Sequence, residues 1–227
     1  MSDQNEYAAL SWRNGKIPVA TRFDDPYFSL EDGIAETAHV FLAGNDLPDR
    51  FAEGFHIGEL GFGTGLNLLC AWKAWEDAGQ TTPLRYTSFE AFPMAPQDMA
   101  QAQAAWPELA EYAARFARAW DHGARRLVCG TLRADVVAGD ARKTLPCWGG
   151  RADAWFLDGF SPAKNPELWE PDLLTAVARH TATGGSFATY TAAGHVRRAL
   201  ASAGFAVKRT KGYGRKRHMT RGTLESG

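Results

Sequence analysis

The chain has 227 residues, 45% of them hydrophobic, and a formal net charge of -1. That length and apolar content suit one compact domain with a sizeable core, and the near-neutral balance argues against a molecule that binds polyanions over its whole surface. Cys70, Cys129 and Cys147 stand far apart with no CxxC pair, which argues against a disulfide framework or a zinc site; no metal is expected, and a reducing cytoplasm is the expected compartment.

The first six residues are polar and lack the basic-then-apolar order of a signal peptide. No apolar run approaches the roughly 18 residues of a membrane helix, so no membrane partner is expected. Residues 1–54 read as an N-terminal extension packed on the core. It carries Phe23, Tyr27 and Phe28 beside Asp24, Asp25, Glu31 and Asp32, and suits either an arm covering a sheet edge or a functional wall. From residue 55 to 227, short apolar runs alternate with longer amphipathic stretches, the pattern of βα units and a doubly wound, mostly parallel α/β sheet.

Taken in order, strands are predicted at His56–Leu60, Tyr86–Phe89, Asp135–Val137, Ala154–Leu157, Ser186–Tyr190, Phe205–Lys208 and His218–Thr223, with a short extra one at Arg125–Cys129. Helices are predicted at Gly65–Asp77, Pro96–Ala119 with a break near Pro107, Pro171–Arg179 and Ala193–Ala203. Between Asp172 and Glu225 there is no acidic residue, while Arg197, Arg198, Lys208, Arg209, Lys211, Arg215, Lys216, Arg217 and Arg221 fall there. A local anionic partner is implied.

The sharpest motif is Glu59-Leu60-Gly61-Phe62-Gly63-Thr64-Gly65-Leu66-Asn67. An apolar strand runs into alternate glycines and then a helix, which lets backbone approach a ligand at the helix N-terminus. Leu66 sits where a GxGxxG fingerprint needs its third glycine, so the loop suits S-adenosylmethionine better than a dinucleotide. Glu59 is expected to meet the ligand's ammonium group, with Thr64 and Asn67 also on the cofactor side. Glu90 lies about 25 residues beyond Gly65 at the next strand end, where a carboxylate can bind ribose hydroxyls. Asp140, after another apolar strand, either accepts from the adenine amino group or caps the next helix.

The stretch Ala154–Trp169 delivers Asp158 from an apolar strand into a loop rich in proline and aromatics, followed by Phe160, Ser161, Lys164 and Asn165. A carboxylate beside an amine nitrogen can orient it and take its proton, so Asp158 is the expected catalytic group, with Phe160, Lys164 and Asn165 on the substrate side. No cysteine lies in this loop, which disfavours C5 methylation of a pyrimidine through a thiolate adduct. The tail Gly212–His218 mixes glycine, Tyr213 and the cations Arg215, Lys216 and Arg217, suited to phosphates and a stacked base or to a solvated turn.

These motifs together resemble the methyltransferase domain of the tRNA 5-methylaminomethyl-2-thiouridine biosynthesis protein (the MnmC/MnmD family). The resemblance runs through Phe23–Ser29, Glu36-Thr37, Val40–Asn45, Glu59–Asn67, Ser88–Glu90, Gly139–Ala141, Trp155–Pro166 and Gly212–Arg217. It implies a Rossmann-like class I methyltransferase fold and methylation of the exocyclic amine of 5-aminomethyluridine at the tRNA wobble position. It also implies a cofactor site lined by Glu59, Gly61, Gly63, Gly65, Glu90 and Asp140, with Asp158 beside the transferred methyl. Tyr27 and Asn45 would close over the cofactor or the base, which an anticodon loop presents unpaired. Many relatives carry an FAD-dependent oxidase that prepares the amine, so a fused or separate oxidase partner is implied. The alternatives are a methyltransferase for another RNA or a small amine, a nicotinamide oxidoreductase, and a non-catalytic RNA-binding relative.

Overall fold

In the computed structural model, which describes residues 7–28, 32–120 and 126–225, the chain opens with a small antiparallel sheet of β1 (Leu10–Arg13), β2 (Ile17–Ala20) and β3 (Asp25–Pro26). Asn14 and Gly15, at φ 53° and 68°, make the left-handed turn that joins the first two strands. A short helix, α1 (Gly33–Thr37), is capped by Asp32, whose side chain accepts from the Ala35 N–H at 2.9 Å, and it continues as a π-helical run to Leu42. Sequence periodicity gave no sign of this helix. Residues 1–6, Ser29, Glu31 and Arg125 lie outside the described residues.

The remaining elements are β4 (His56–Leu60), α2 (Leu66–Asp77), β5 (Leu84–Glu90), α3 (Pro96–Gln103), α4 (Ala110–Ala119), β6 (Arg126–Cys129), β7 (Leu132–Ala138), α5 (Ala141–Thr144), β8 (Ala152–Leu157), α6 (Pro171–Arg179), β9 (Thr181–Thr189), α7 (Gly194–Ser202), β10 (Phe205–Lys211) and β11 (His218–Leu224). Eight strands form one sheet in the order β10-β11-β9-β8-β4-β5-β7-β6, with β9, β8, β4, β5 and β7 parallel. The predicted strands and helices are all present, with several ends lengthened or shortened by a few residues. The expected break near Pro107 is a 3-10 turn at Pro107–Leu109 between α3 and α4, because proline cannot continue the hydrogen-bond ladder of α3.

Period-two alternation assigns the core to the two faces of this sheet. Ile57, Tyr86 and Phe156 face the layer of α2, where Leu68, Leu69, Trp72 and Trp75 are buried. Leu60, Phe89, Trp155, Leu157 and Phe187 face the layer of α6 and α7 with Leu173, Leu174, Val196 and Leu200. Each fully buried large side chain contributes about 2 kcal/mol by removal from water. Gly58 is required by this packing: a Cβ there would sit 2.7 Å from the Trp155 ring on the neighbouring strand.

Glu76, near the end of α2, ties three segments together. Its carboxylate accepts from Arg115 at 2.8 and 2.9 Å, from Tyr112 at 3.0 Å, from Trp72 at 3.0 Å and from Thr131. The Arg115 bonds hold its pKa down at about 2. Since the folded value lies below the ordinary 4.5, this stabilisation is present above pH 4.5 and lost as pH falls through about 2. Glu76→Gln is expected to cost about 2 kcal/mol at neutral pH. Urea unfolding at several pH values should show the gap to the wild type narrowing on acidification.

Candidate active site

The order of the parallel strands reverses between β4 and β8, the switch point where a crevice opens at the carboxyl ends of the strands. There a cavity of about 700 Å³ is lined by the glycine loop, Glu90, Asp140, Asp158 and the N-terminal sheet. Gly61, Gly63 and Gly65 all hold positive φ, at 85°, 54° and 74°, a conformation that costs other residues strain. Gly61 also touches the next strand end: a Cβ there would lie 2.5 Å from the Asp158 carbonyl oxygen. The loop is fixed by Glu90, whose carboxylate accepts from the Gly63 N–H at 3.1 Å and the Phe92 N–H at 2.8 Å. Burial raises the Glu90 pKa, opposed by these backbone donors.

Asp158 emerges from β8 and is held at both oxygens, accepting from Asn67 Nδ2 at 2.8 Å and from the Gly159 N–H at 2.9 Å. Burial pushes it up to about 6, with Glu36 adding in the same direction and Asn67 opposing. Asn67 Nδ2 also donates to Glu59 Oε1 at 2.9 Å, and Asn67 Oδ1 accepts from Thr37 at 2.9 Å, which saturates the amide. Glu59 is fully buried behind the loop and absent from the cavity wall. Burial pushes it up to about 8, and it reaches the site through its bond from Asn67. Ser88 and Tyr86 stand beside its carboxyl and, with Asn67, oppose that rise.

Asp140 caps α5 by accepting from the Arg142 N–H at 2.9 Å, and it also lines the cavity. The Arg142 guanidinium, 2.8 Å from its carboxylate, lowers its pKa. Tyr27 packs on the glycine loop, 3.0 Å from the Cβ position of Gly63, and Phe160 meets Tyr27 edge-on at 5.1 Å and stacks on Phe23 at 4.7 Å. Asn165 and Thr64 also line the cavity.

Three expected site residues are placed otherwise. Asn45 has no exposed surface; its amide donates to the Phe41 and Trp155 carbonyls and accepts from Ser186, so it braces the core instead of covering a ligand. Lys164 turns to Asp24 and Asp25 and fastens the N-terminal sheet to the Asp158 loop. Ser161 joins that junction by donating its N–H to Asp25 at 3.1 Å. Arg215, Lys216 and Arg217 are all exposed on the β10–β11 turn, and Lys216 also lines the cavity, where it pairs with Glu36 at 2.8 Å. Glu36 and Tyr190 are site residues to which the sequence reading gave no role. Tyr190 follows β9, so the rule that ligands meet strand carboxyl ends would have flagged it.

The residues present fit S-adenosylmethionine: a positive-φ glycine loop and the Glu90, Asp140 and Asp158 carboxylates meet around one cavity of about 700 Å³. The family described as S-adenosyl-L-methionine-dependent methyltransferase matches residues 105–225. The chain is 46% identical over 99% of its length to the tRNA 5-methylaminomethyl-2-thiouridine biosynthesis bifunctional protein MnmC of Stutzerimonas stutzeri, and 44% identical over 97% to that of Chromobacterium violaceum. It spans 36% and 35% of those two relatives. Among solved structures, MNMC2 from Aquifex aeolicus aligns with a TM-score of 0.74 at 27% identity, covering 100% of this chain and 73% of that one. Spermidine synthase from Thermotoga maritima, at 12% identity and TM-score 0.57, shares the fold. With its Rossmann-like fold, its glycine cradle and this match over residues 105–225, the chain belongs to the S-adenosyl-L-methionine-dependent methyltransferases.

Proposed function

We propose that this chain methylates the exocyclic amine of 5-aminomethyl(-2-thio)uridine at the tRNA wobble position, giving 5-methylaminomethyl(-2-thio)uridine. The observation that carries the reading is Asp158: a carboxylate fixed at both oxygens on the cavity wall, with a pKa of about 6. Near neutral pH it is mainly ionised yet a better proton acceptor than an ordinary aspartate. The MnmC relatives, named for tRNA 5-methylaminomethyl-2-thiouridine biosynthesis, supply the substrate class. Cytoplasm is the proposed location; among the described residues no helix is long and apolar enough to cross a membrane. A fused or separate oxidase is the proposed source of the amine.

When bound, the cofactor supplies a sulfonium methyl as electrophile. Gly61, Gly63 and Gly65 would hold its amino-acid end, with Glu90 at the ribose and Asp140 at the adenine. Tyr27, Phe160 and Phe23 wall the cavity with aromatic surface, which excludes water and offers faces to a flipped base. As the amine's lone pair took the methyl and the bonding electrons stayed with the departing sulfur, Asp158 would accept the proton shed by the nitrogen.

The test is to incubate the protein with the cofactor and tRNA from cells that leave the wobble aminomethyl group unmethylated, then digest and analyse nucleosides by mass spectrometry. Methylaminomethyl nucleoside is expected only when the aminomethyl precursor is present; cofactor binding without this product would assign another acceptor. The exposed Arg215 and Arg217 are the proposed phosphate contacts. Replacing both with alanine is expected to weaken tRNA binding and to flatten the plot of log affinity against log salt by roughly 0.7–0.9 per lost contact. An unchanged slope would leave the turn without an RNA role.

A further inference from the structure

Side chains around the acceptor end of the cavity form a closed circuit. Asn67 donates to Asp158 at 2.8 Å, and Thr37 donates to Asn67 at 2.9 Å. Glu36, the residue before Thr37, accepts from Lys216 Nζ at 2.8 Å. That ammonium stands 4.0 Å from the centre of the Tyr190 ring, and Tyr190 OH donates to the Gly159 carbonyl at 2.7 Å. Gly159 follows Asp158 and closes the ring. Every member lines the cavity. The segments that meet here are α1, α2, the ends of β8 and β9, and the β10–β11 turn.

A lysine at a hairpin turn usually points into water, and a surface ion pair contributes little. This one is different in its surroundings. The Glu36 side chain keeps 14% of its exposure against 46% for Lys216, so the carboxylate is drawn in while the lysine stem spans from the turn to the cavity. A cation over an aromatic face gains further attraction. Glu36 and ionised Asp158 set two negative charges against one ammonium, leaving one negative charge uncompensated in the circuit. A primary amine, with its N–H donors and its tendency to be cationic in water, fits that surplus. A group carrying a carboxylate at the same position would face two carboxylates.

We propose that Glu36 is the specificity-determining residue of the acceptor site: it receives a hydrogen bond from the acceptor amine opposite Asp158, and Lys216 is the positioning residue that fixes its carboxylate. The assignment rests on the proposed amine methylation and adds to it the groups that recognise the amine. With two carboxylates taking the amine's two N–H bonds, the nitrogen lone pair keeps a single direction. Lys216 also links the basic turn to the acceptor pocket.

The test uses the full chain with aminomethyl tRNA at saturating cofactor, comparing wild type, Glu36→Gln, Glu36→Asp, Lys216→Met and the Glu36→Gln/Lys216→Met double variant. Glu36→Gln is expected to raise KM for tRNA about tenfold or more, the loss of one charge-assisted hydrogen bond. Cofactor Kd should stay within about twofold, because the residue lies on the acceptor side. Glu36→Asp should recover part of the loss. Lys216→Met should raise KM several-fold, and the double variant should be no worse than Glu36→Gln, because the lysine acts through the glutamate. An unchanged KM in Glu36→Gln, with the wild type active, overturns this assignment alone; a wild type that makes no methylated nucleoside overturns the proposed amine methylation and the assignment with it. Should Glu36→Gln fail to fold, Lys216→Met decides. A raised KM with the wild-type salt slope supports the assignment, and a flatter slope, the mark of a lost phosphate contact, overturns it.

Discussion

Asp158→Ala is expected to lower kcat by about a thousandfold, within the usual range for a lost general base, while cofactor Kd changes only a few fold. Single-turnover methylation and calorimetric cofactor titration separate the two effects. The variant removes the proton acceptor but leaves the Gly61–Gly65 loop and its Glu90 anchor in place, since Glu90 bonds to Gly63 and Phe92 and not to Asp158. Turnover at the wild-type rate would remove Asp158 from the chemistry. The pH profile gives a second readout. With the carboxylate as the working form and a pKa of about 6, kcat should be flat above pH 6 and fall about tenfold per unit below it.

The same shift has a sign for stability. Asp158 is raised from 3.8 to about 6, so between those values the unfolded chain has lost a proton that the folded protein keeps. Stability therefore declines as pH rises through that window and is fullest below it. Glu59, raised from 4.5 to about 8, adds a decline over its own window. Burying two carboxyls beside each other costs stability in return for a poised site, and Asp158→Ala should erase the lower of the two slopes.

Gly61→Ala is expected to destabilise the fold by roughly 2–4 kcal/mol and to weaken cofactor binding at the same time. Two effects combine at this position. The φ of 85° strains any residue with a Cβ, and that Cβ would stand 2.5 Å from the Asp158 carbonyl and 3.3 Å from the Gly159 Cα. Both obstacles are backbone, held by the pairing of β4 with β8, so neither can swing aside. Gly54→Ala is the control, because its φ is 79° but no atom lies within 4 Å of the added Cβ. It should cost only about 1 kcal/mol. Denaturant midpoints and cofactor Kd for the two variants separate strain from collision; equal losses would show that the contact with the Asp158 strand end is immaterial.

How far the site could be read from sequence follows from these particulars. The strands β4 and β8 announce themselves as apolar runs, and the glycines after β4 mark a turn that must hold positive φ. Together they place the loop and Asp158 at adjoining strand ends, as observed. Glycine, proline and hydrophobic period act locally, so they leave their trace in the sequence. Side-chain direction and desolvation depend on distant segments and leave none. Asn45 sits beside Phe41 and Gly44 in a motif that looks functional, yet Ser186 and the Trp155 carbonyl claim its amide. Lys164, in a loop suited to a substrate, is claimed by Asp24 and Asp25 some 140 residues earlier. Arg215, Lys216 and Arg217 are consecutive and exposed, yet Lys216 is the one that lines the cavity, where it meets Glu36 and Tyr190.

The sequence by itself determined the α/β architecture, the cofactor loop and the carboxylate beside it, since each follows from backbone preferences and periodic burial. Only the tertiary structure decided that Glu59 is buried behind the loop and that Glu36, Tyr190 and Lys216 line the cavity. Those outcomes depend on which charges meet out of water, and that is settled when the segments pack.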